Sequence, residues 1–540
     1  MTSPDRVMKA AGLLMGISVL SRLAGFVREQ AIAAQFGTSM STDAYVVSLT
    51  IINVVYLVLG GALATVFIPV FTSVLAGEKG RTGSDAAWRL ASSVLNLTAL
   101  ALGAISLLGI LLSPQLVGLI VPSFSAEAAA LTSQLTRIMF PITLLAALSM
   151  LVGGILNSLQ HFTLPALSSV VFSLTVTAAA FTLGGEWAWG IRGLAAGTVL
   201  ATVLQVLVQT PALKAKGIQY FPRLDLRQEE VRQVGRLMGP VVLGNLVGQA
   251  YLVIERYLAS GLATGSISAL NFANKLMYLP FNLFAVAVNI AIFPTLSEHA
   301  ARQDRLALGR TTAVGLKLVG LLTIPAAAGM LALAEPLVRL VYQHGEFNVE
   351  STARTTLALY FYLPGLFALG GFNVLYRAFY ALQDTRTPVA INILAVLANL
   401  GLGLLLVNPL KHAGLALAVA LSANLNLVLS YLFLLPRLPG LAPRELLPPL
   451  GKILLVSALM GVVVWFTQQA LGLVLGMEAA AGRTMGVGFQ LVQVLTSAAA
   501  GVAVYAAGIK WIRADEETVS LVEHFLKELA GRLAGQAKRK

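Results

Sequence analysis

Residues 10–36 read AAGLLMGISVLSRLAGFVREQAIAAQF, an apolar run broken by Arg22, Arg28 and Glu29. About 20 apolar residues span the hydrocarbon core of a bilayer as a helix, whereas a barrel strand alternates over about 10, so this run predicts a membrane helix. A charge at membrane depth costs on the order of 3 kcal/mol and therefore faces a cavity or a partner. A second charged pair, Glu255-Arg256, lies inside the seventh apolar run. At about 100° per residue, Ser18, Ser21, Arg22, Gly25, Arg28 and Glu29 share one helix face, with Leu20, Leu23, Phe26 and Val27 opposite. Such a stripe faces the interior of a bundle, where something polar is handled within the bilayer.

Composition extends this reading to the whole chain. Of 540 residues, 57% are hydrophobic and 11% charged, with a mean hydropathy of +0.81; soluble domains carry about 25% charged residues. An all-α, polytopic membrane protein is expected. Apolar segments recur as far as one centred near Ser497 and predict about fourteen transmembrane helices. Gly and Pro punctuate most connections, including Gly77 to Asp85, Lys214 to Glu230, Glu298 to Arg305 and Leu438 to Pro449. Arg6 and Lys9 precede the first run as in a signal peptide, but the run continues past Arg22 to Phe36 without a cleavage site. It reads as an uncleaved first helix.

Lys and Arg in short loops set orientation. With the N-terminus inside, the inner loops hold Lys79, Arg81, Lys214, Lys216, Arg223, Arg227, Arg232, Arg236, Arg302, Arg305, Arg386, Arg437 and Arg444. The outer loops hold scattered residues such as Arg192, Lys411 and Arg483. Both termini are predicted to be cytoplasmic, and this asymmetry accounts for the net charge of +13 without nucleic acid. The tail, residues 513–540, alternates apolar and charged residues and ends Lys538-Arg539-Lys540. It suits an amphipathic helix on anionic membrane lipid and a solvated tail equally.

Catalytic signatures are missing. The five His residues (His161, His299, His344, His412 and His524) are scattered, there is no Cys, and no HExxH, P-loop or nucleophile elbow occurs. A transporter without a cofactor is expected, driven by an ion gradient, the membrane potential or the substrate's own gradient. Whether a monovalent cation couples to it is left open.

An internal repeat organises the helices. Phe67-Ile68-Pro69 recurs as Ile292-Phe293-Pro294, Leu159-Gln160 before Pro165 as Leu382-Gln383 before Pro388, and Gly193-Leu194-Ala195 as Gly414-Leu415-Ala416. Each recurs in the same order at nearly one offset, a little over two hundred residues on. Helices one to six (1–226) and seven to twelve (227–440) therefore read as two copies, parallel because each holds an even number of helices. Helices thirteen and fourteen (441–512) are additions, followed by the tail (513–540). Transporters of this build bind substrate between the halves.

The polar stripe repeats as well. Asn245, Gly248, Gln249, Glu255 and Arg256 share a face of the seventh helix, and Asn271, Asn274, Lys275, Tyr278, Asn282 and Asn289 share one of the eighth. A polar, net cationic cavity follows. Simpler roles stay open: Arg28 and Arg256 lie near outer helix ends and can snorkel, or be neutralised by Glu29 or Glu255. The Asn-rich face around Lys275 also suits helix packing. Asp43 suits an N-terminal helix charge as well as a gate. Leu57 to Ala64, with Gly60 and Gly61, suits close packing or bending, and Arg137, Lys317, Arg354 and Arg377 read as topology determinants nearer segment ends.

Several stretches carry a family resemblance. Ser21-Arg22-Leu23-Ala24-Gly25-Phe26-Val27-Arg28-Glu29, Phe36-Gly37, Thr42-Asp43-Ala44-Tyr45, the run from Gly265 to Leu276, and Pro409-Leu410-Lys411-His412-Ala413-Gly414-Leu415 resemble the MurJ (MviN) lipid II flippases of the multidrug, oligosaccharidyl-lipid and polysaccharide exporter superfamily. The resemblance covers essentially the whole chain. It implies a V-shaped, monomeric, alternating-access transporter in the bacterial cytoplasmic membrane. Such a transporter moves lipid II, an undecaprenyl-diphosphate-linked peptidoglycan precursor, from the inner to the outer leaflet, with helices thirteen and fourteen as a groove for the polyprenyl tail. It places the family's central Arg-acid pair on Arg28 and Glu29, its helix-seven arginine on Arg256, its first-helix Ser-Arg on Ser21-Arg22 and its second-helix acid on Asp43. Arginine suits a diphosphate because it stays charged and donates in a fork. The implied substrate-binding set is Arg22, Arg28, Glu29, Asp43, Arg256, Asn274 and Lys275.

Departures from the family pattern are also visible. Where many relatives carry adjacent arginines in the second helix, this chain has Val54-Val55-Tyr56, and the basic residue of helix eight is Lys275. Some members bind sodium through acids in helices seven and eleven, but helix eleven here offers only Asn392 and Asn399. The alternatives are export of another polyprenyl-diphosphate-linked oligosaccharide, or multidrug export, which a cationic cavity disfavours for cationic drugs. A lipid-modifying enzyme lacks its acid/base or metal cluster, and a non-transporting scaffold leaves both stripes unexplained.

Overall fold

Backbone in hydrocarbon finds no water, so each spanning segment must satisfy its own N–H and C=O groups and folds as a helix. The computed structural model describes residues 4–77, 83–185, 188–222, 224–225, 227–480 and 487–511, and no strand occurs among them. The tail 513–540, Lys79, Arg81, Arg223 and Arg483 lie outside the described residues. The first helix is α1 (Pro4–Phe36). Then come α2 (Met40–Leu75), α3 (Asp85–Leu111), α4 (Ala126–Ser158), α5 (Thr163–Phe181), α6 (Ile191–Ala215), α7 (Glu229–Ala259), α8 (Ser266–Ala301), α9 (Arg305–Ala332) and α10 (Val349–Ala381). The segment Arg386–Leu434 breaks at Lys411 into α11 (386–410) and α12 (412–434), followed by α13 (Pro443–Ala480) and α14 (Val487–Trp511). Among the described residues 12 helices meet the length and hydropathy expected of a membrane span. Adding α1 and dividing the broken helix agrees with the expected count of about 14.

Local chemistry sets the boundaries. Ser39 caps α2, its Oγ accepting from the Thr42 N–H at 3.3 Å. Ser125 accepts from the Ala128 N–H at 3.2 Å, and Asp304 from the Ala307 N–H at 2.9 Å. Each supplies an oxygen to a donor that the first helical turn leaves without a partner.

The chain divides into two units. Unit 1 is Met1–Ala269 with Tyr342–Ser351, and unit 2 is Leu270–Val341 with Thr352–Lys540. In unit 1, α1 lies along α5 and α7 along α2. Its core includes Phe67, Phe71, Trp88, Leu151, Ile155 and Leu213, with ring centroids 5.5 Å apart for Phe67–Phe71 and 6.1 Å for Phe71–Trp88. The segment Tyr342–Ser351 returns to the end of α1: the Glu346 N–H donates to the Ala34 carbonyl at 2.8 Å, and Thr38 Oγ1 meets Ser351 Oγ at 2.7 Å. In unit 2 the core joins α8, α9, α10 and α12 through Leu296, Leu308, Val319, Val374, Phe379 and Leu434. There α13 and α14 pack together and onto α9, where Tyr505 donates to the Leu321 carbonyl at 2.8 Å. Large apolar side chains such as Leu405, Leu455 and Leu473 remain exposed, as lipid-facing surfaces require.

Each unit repeats the other's local irregularities. A π-turn interrupts α2 at Tyr56–Gly60 and α8 at Phe281–Ala285. Gln160 and Gln383 both take positive φ, at 56° and 59°. Gly190 (φ 55°, ψ −136°) is matched by Lys411 (φ 53°, ψ −133°). At the π-turns the close approach is complementary. In unit 1 a Cβ on Gly60 would lie 2.9 Å from that of Ala147, whereas in unit 2 the glycine has changed sides, and a Cβ on Gly370 would lie 2.9 Å from that of Ala285. One Gly and one Ala bring the helices together in both cases.

Candidate functional site

The polar stripe of α1 packs on α5. Ser21 Oγ meets Ser169 Oγ at 2.7 Å, and the space above Gly25 is met by Ser173. Further along the stripe Arg28 Nη2 donates to Glu29 Oε1 at 2.7 Å. The Arg28 guanidinium also stands 5.6 Å from the ring centre of Phe172, within cation–π range. Its side chain is 22% exposed, that of Glu29 11%. Tyr45 of α2 is buried within electrostatic reach of both, and its hydroxyl lies 2.9 Å from Thr198 Oγ1 of α6.

The pair on α7 is more deeply enclosed. Arg256 Nη1 donates to Glu255 Oε1 at 2.6 Å, and Arg256 Nε donates to Thr50 Oγ1 of α2 at 3.5 Å; the arginine side chain is 3% exposed. A guanidinium carries five N–H donors. Both arginines therefore keep donors beyond those committed to their neighbouring glutamates. Asn245, higher on the same stripe, donates to the Leu57 carbonyl inside the α2 π-turn at 3.1 Å. That residue secures a helix irregularity.

Asp43 sits in the first turn of α2 yet caps a different helix. Its Oδ2 accepts from the Gly265 N–H at 2.6 Å, and its Oδ1 from the Ser268 N–H at 2.7 Å, at the start of α8. An anion at a helix N-terminus answers both unpaired N–H groups and the positive end of the dipole. Asp43 is also within electrostatic reach of Arg256. Unit 1 thus brings Arg28, Glu29, Asp43, Glu255 and Arg256 around α2. Arg22 belongs to the same unit but is exposed, while Asn274 and Lys275 belong to unit 2, with Lys275 exposed. Thr50, Phe172 and Thr198 were not singled out by the sequence, because a neutral side chain in an apolar run carries no signal of its own. Among the described residues no group of three or more His, Cys, Asp or Glu is placed to hold a metal ion.

The family model "Lipid II flippase MurJ" matches residues 32–480. A lipid II flippase MurJ from Burkholderia cenocepacia is 32% identical over 438 residues, covering 80% of this chain and 84% of that protein. A probable lipid II flippase MurJ from Bdellovibrio bacteriovorus is 32% identical over 459 residues, covering 84% and 87%. Among solved structures, a lipid II flippase MurJ in an inward closed conformation matches 93% of this chain and 99% of its own, with a TM-score of 0.76 at 24% identity. An inward-facing multidrug resistance transporter of the MATE family shares the fold at 15% identity and a TM-score of 0.65, over 80% of this chain and 98% of its own. With that family model matched over most of the chain and relatives 32% identical over at least four-fifths of it, the chain belongs to the lipid II flippase MurJ family.

Proposed function

We propose that this chain translocates lipid II from the inner to the outer leaflet of the bacterial cytoplasmic membrane by alternating access, supplying peptidoglycan synthesis. The observation that carries the reading is the pair of arginines, Arg28 and Arg256, each held inside apolar helices by an adjacent glutamate. Two guanidiniums match the charge and fork geometry of a diphosphate. In the empty site Glu29 and Glu255 reduce the cost of buried positive charge; with substrate present they keep attraction moderate enough for release. Asp43 orders the start of α8 beside this site, a positioning role. Arg22, Asn274 and Lys275 complete the substrate path in this reading, α13 and α14 take the polyprenyl tail, both termini lie in the cytoplasm, and the protein acts as a monomer. The two lobes 1–226 and 227–440 rock against each other, driven by the membrane potential or a monovalent cation.

The test is the leaflet accessibility of labelled lipid II in cells that depend on this chain. Depletion is expected to trap lipid II in the inner leaflet, and restored expression to return it to the outer one. Unchanged outer-leaflet lipid II after depletion, with no other flippase present, would refute the proposal.

A further inference from the structure

The internal repeat supplies a control for one charge that the site above does not use. Phe293 and Ile68 directly precede the matching prolines Pro294 and Pro69, and Arg377 and Gly154 stand equally far before the matching Pro388 and Pro165. In unit 1 the seam between α2 and α4 is closed at this level by an apolar contact, with the Cβ position of Gly154 2.6 Å from Ile68 Cδ1. In unit 2 the same seam, between α8 and α10, holds an arginine. The Arg377 guanidinium stands 4.9 Å from the ring centre of Phe293. Unit 1 demonstrates that the seam packs without a cation.

Arg377 makes no hydrogen bond or ion pair among the described residues. Three acids at this end of the unit are already engaged: Asp384 with Arg437 at 2.6 Å, Glu298 with Arg302 at 2.6 Å, and Asp304 with the Ala307 N–H. One helical turn beyond Arg377, on the same face, Tyr380 lies within its electrostatic reach and is 42% exposed. The Tyr380 ring lies tilted against that of Tyr376, centroids 6.3 Å apart, and its hydroxyl makes no hydrogen bond among the described residues. A ring face orients a guanidinium while leaving its in-plane N–H donors unspent. A planar fork beside a phenolic O–H is a donor set for a phosphate.

We propose that Arg377 and Tyr380, braced by Phe293 and Tyr376, bind a lipid-borne phosphate at the cytoplasmic end of unit 2. The inference rests on the flippase reading, in which the diphosphate of the polyprenyl precursor is the occupant and the site is a first docking point. A phospholipid headgroup of the inner leaflet has the same chemistry.

The experiment uses the full-length chain in mixed detergent micelles. Polyprenyl diphosphate, uncharged polyprenol and phosphatidylglycerol are titrated against wild type, Arg377→Gln, Arg377→Lys and Tyr380→Phe, with thermal unfolding recorded for each. Arg377→Gln is expected to weaken polyprenyl diphosphate about tenfold, the scale of one hydrogen-bonded charge contact. Arg377→Lys should recover part of the loss, and polyprenol should not respond. A loss confined to the diphosphate identifies the precursor as occupant; an equal loss for phosphatidylglycerol identifies the bilayer phospholipid. Wild-type affinity for both phosphate lipids in a folded Arg377→Gln overturns the inference. If that variant does not fold, unchanged affinity in both Arg377→Lys and Tyr380→Phe overturns it. Wild type that binds polyprenyl diphosphate no better than polyprenol overturns the proposed function along with it.

Discussion

A guanidinium as enclosed as that of Arg256 is stable only while its charge is answered, and Glu255 answers it at 2.6 Å. Removing one partner of a buried pair costs about 3–5 kcal/mol because the other charge stays behind. Glu255→Gln is therefore expected to lower the thermal unfolding temperature in detergent more than Glu29→Gln, since Arg28 retains 22% of its exposure. The arginines themselves test function: Arg28→Ala and Arg256→Ala should reach the membrane yet fail to support growth of a flippase-depleted strain, and full complementation by both would refute the site. Lys411 makes a different prediction. Its backbone (φ 53°, ψ −133°) lies where glycine alone is comfortable, as Gly190 of the other repeat illustrates. Lys411→Gly should raise stability by about 1–3 kcal/mol, read as a higher unfolding temperature. The stretch around Lys411 is distinctive in sequence, yet nothing in it announces the strain, which belongs to the turn between two packed helices.

Among the elements, the matching π-turns of α2 and α8 rest on one Gly–Ala contact used in opposite senses. Gly60→Ala should destabilise by about 1–3 kcal/mol through overpacking, and Ala147→Gly added to it should restore most of the loss, because that pairing is the one unit 2 already uses. Full additivity of the two changes would refute the equivalence. At the turn between α10 and α11, the Thr387 hydroxyl and N–H, followed by Arg437, hold the Asp384 carboxyl below its usual 3.8, at about 2. A carboxyl depressed on folding stabilises above its unfolded pKa and loses that contribution as the pH falls through its folded one. Unfolding temperature should drop between about pH 4 and pH 2 by an amount that Asp384→Asn removes. The recurring Leu-Gln before a proline was legible as a repeat. The pairing of Asp384 with Arg437 was not, since 53 residues separate them.

The whole molecule presents two units whose helices carry oily outer surfaces and polar stripes. Orientation is testable directly because the chain has no cysteine. With the N-terminus inside, a membrane-impermeant maleimide added to intact cells should label Val349→Cys and leave Arg302→Cys unlabelled; both positions are 70% exposed, so the reverse pattern would invert the topology. The sequence by itself determined the membrane helices, the duplication and the two Arg–Glu pairs. These are properties of composition, period and adjacency, and hydrocarbon permits few other ways to fold such segments. Tertiary structure alone decided the roles within that frame. Asp43 reads in the sequence equally as the opening charge of α2 or as a gate, but its carboxylate caps α8, across 222 and 225 residues. Thr50, Phe172 and Thr198 gain meaning only from the charged or hydroxyl-bearing side chains that packing sets beside them. A hydrogen bond between distant helices depends on the register of both, and that register is fixed by packing, which no local pattern records.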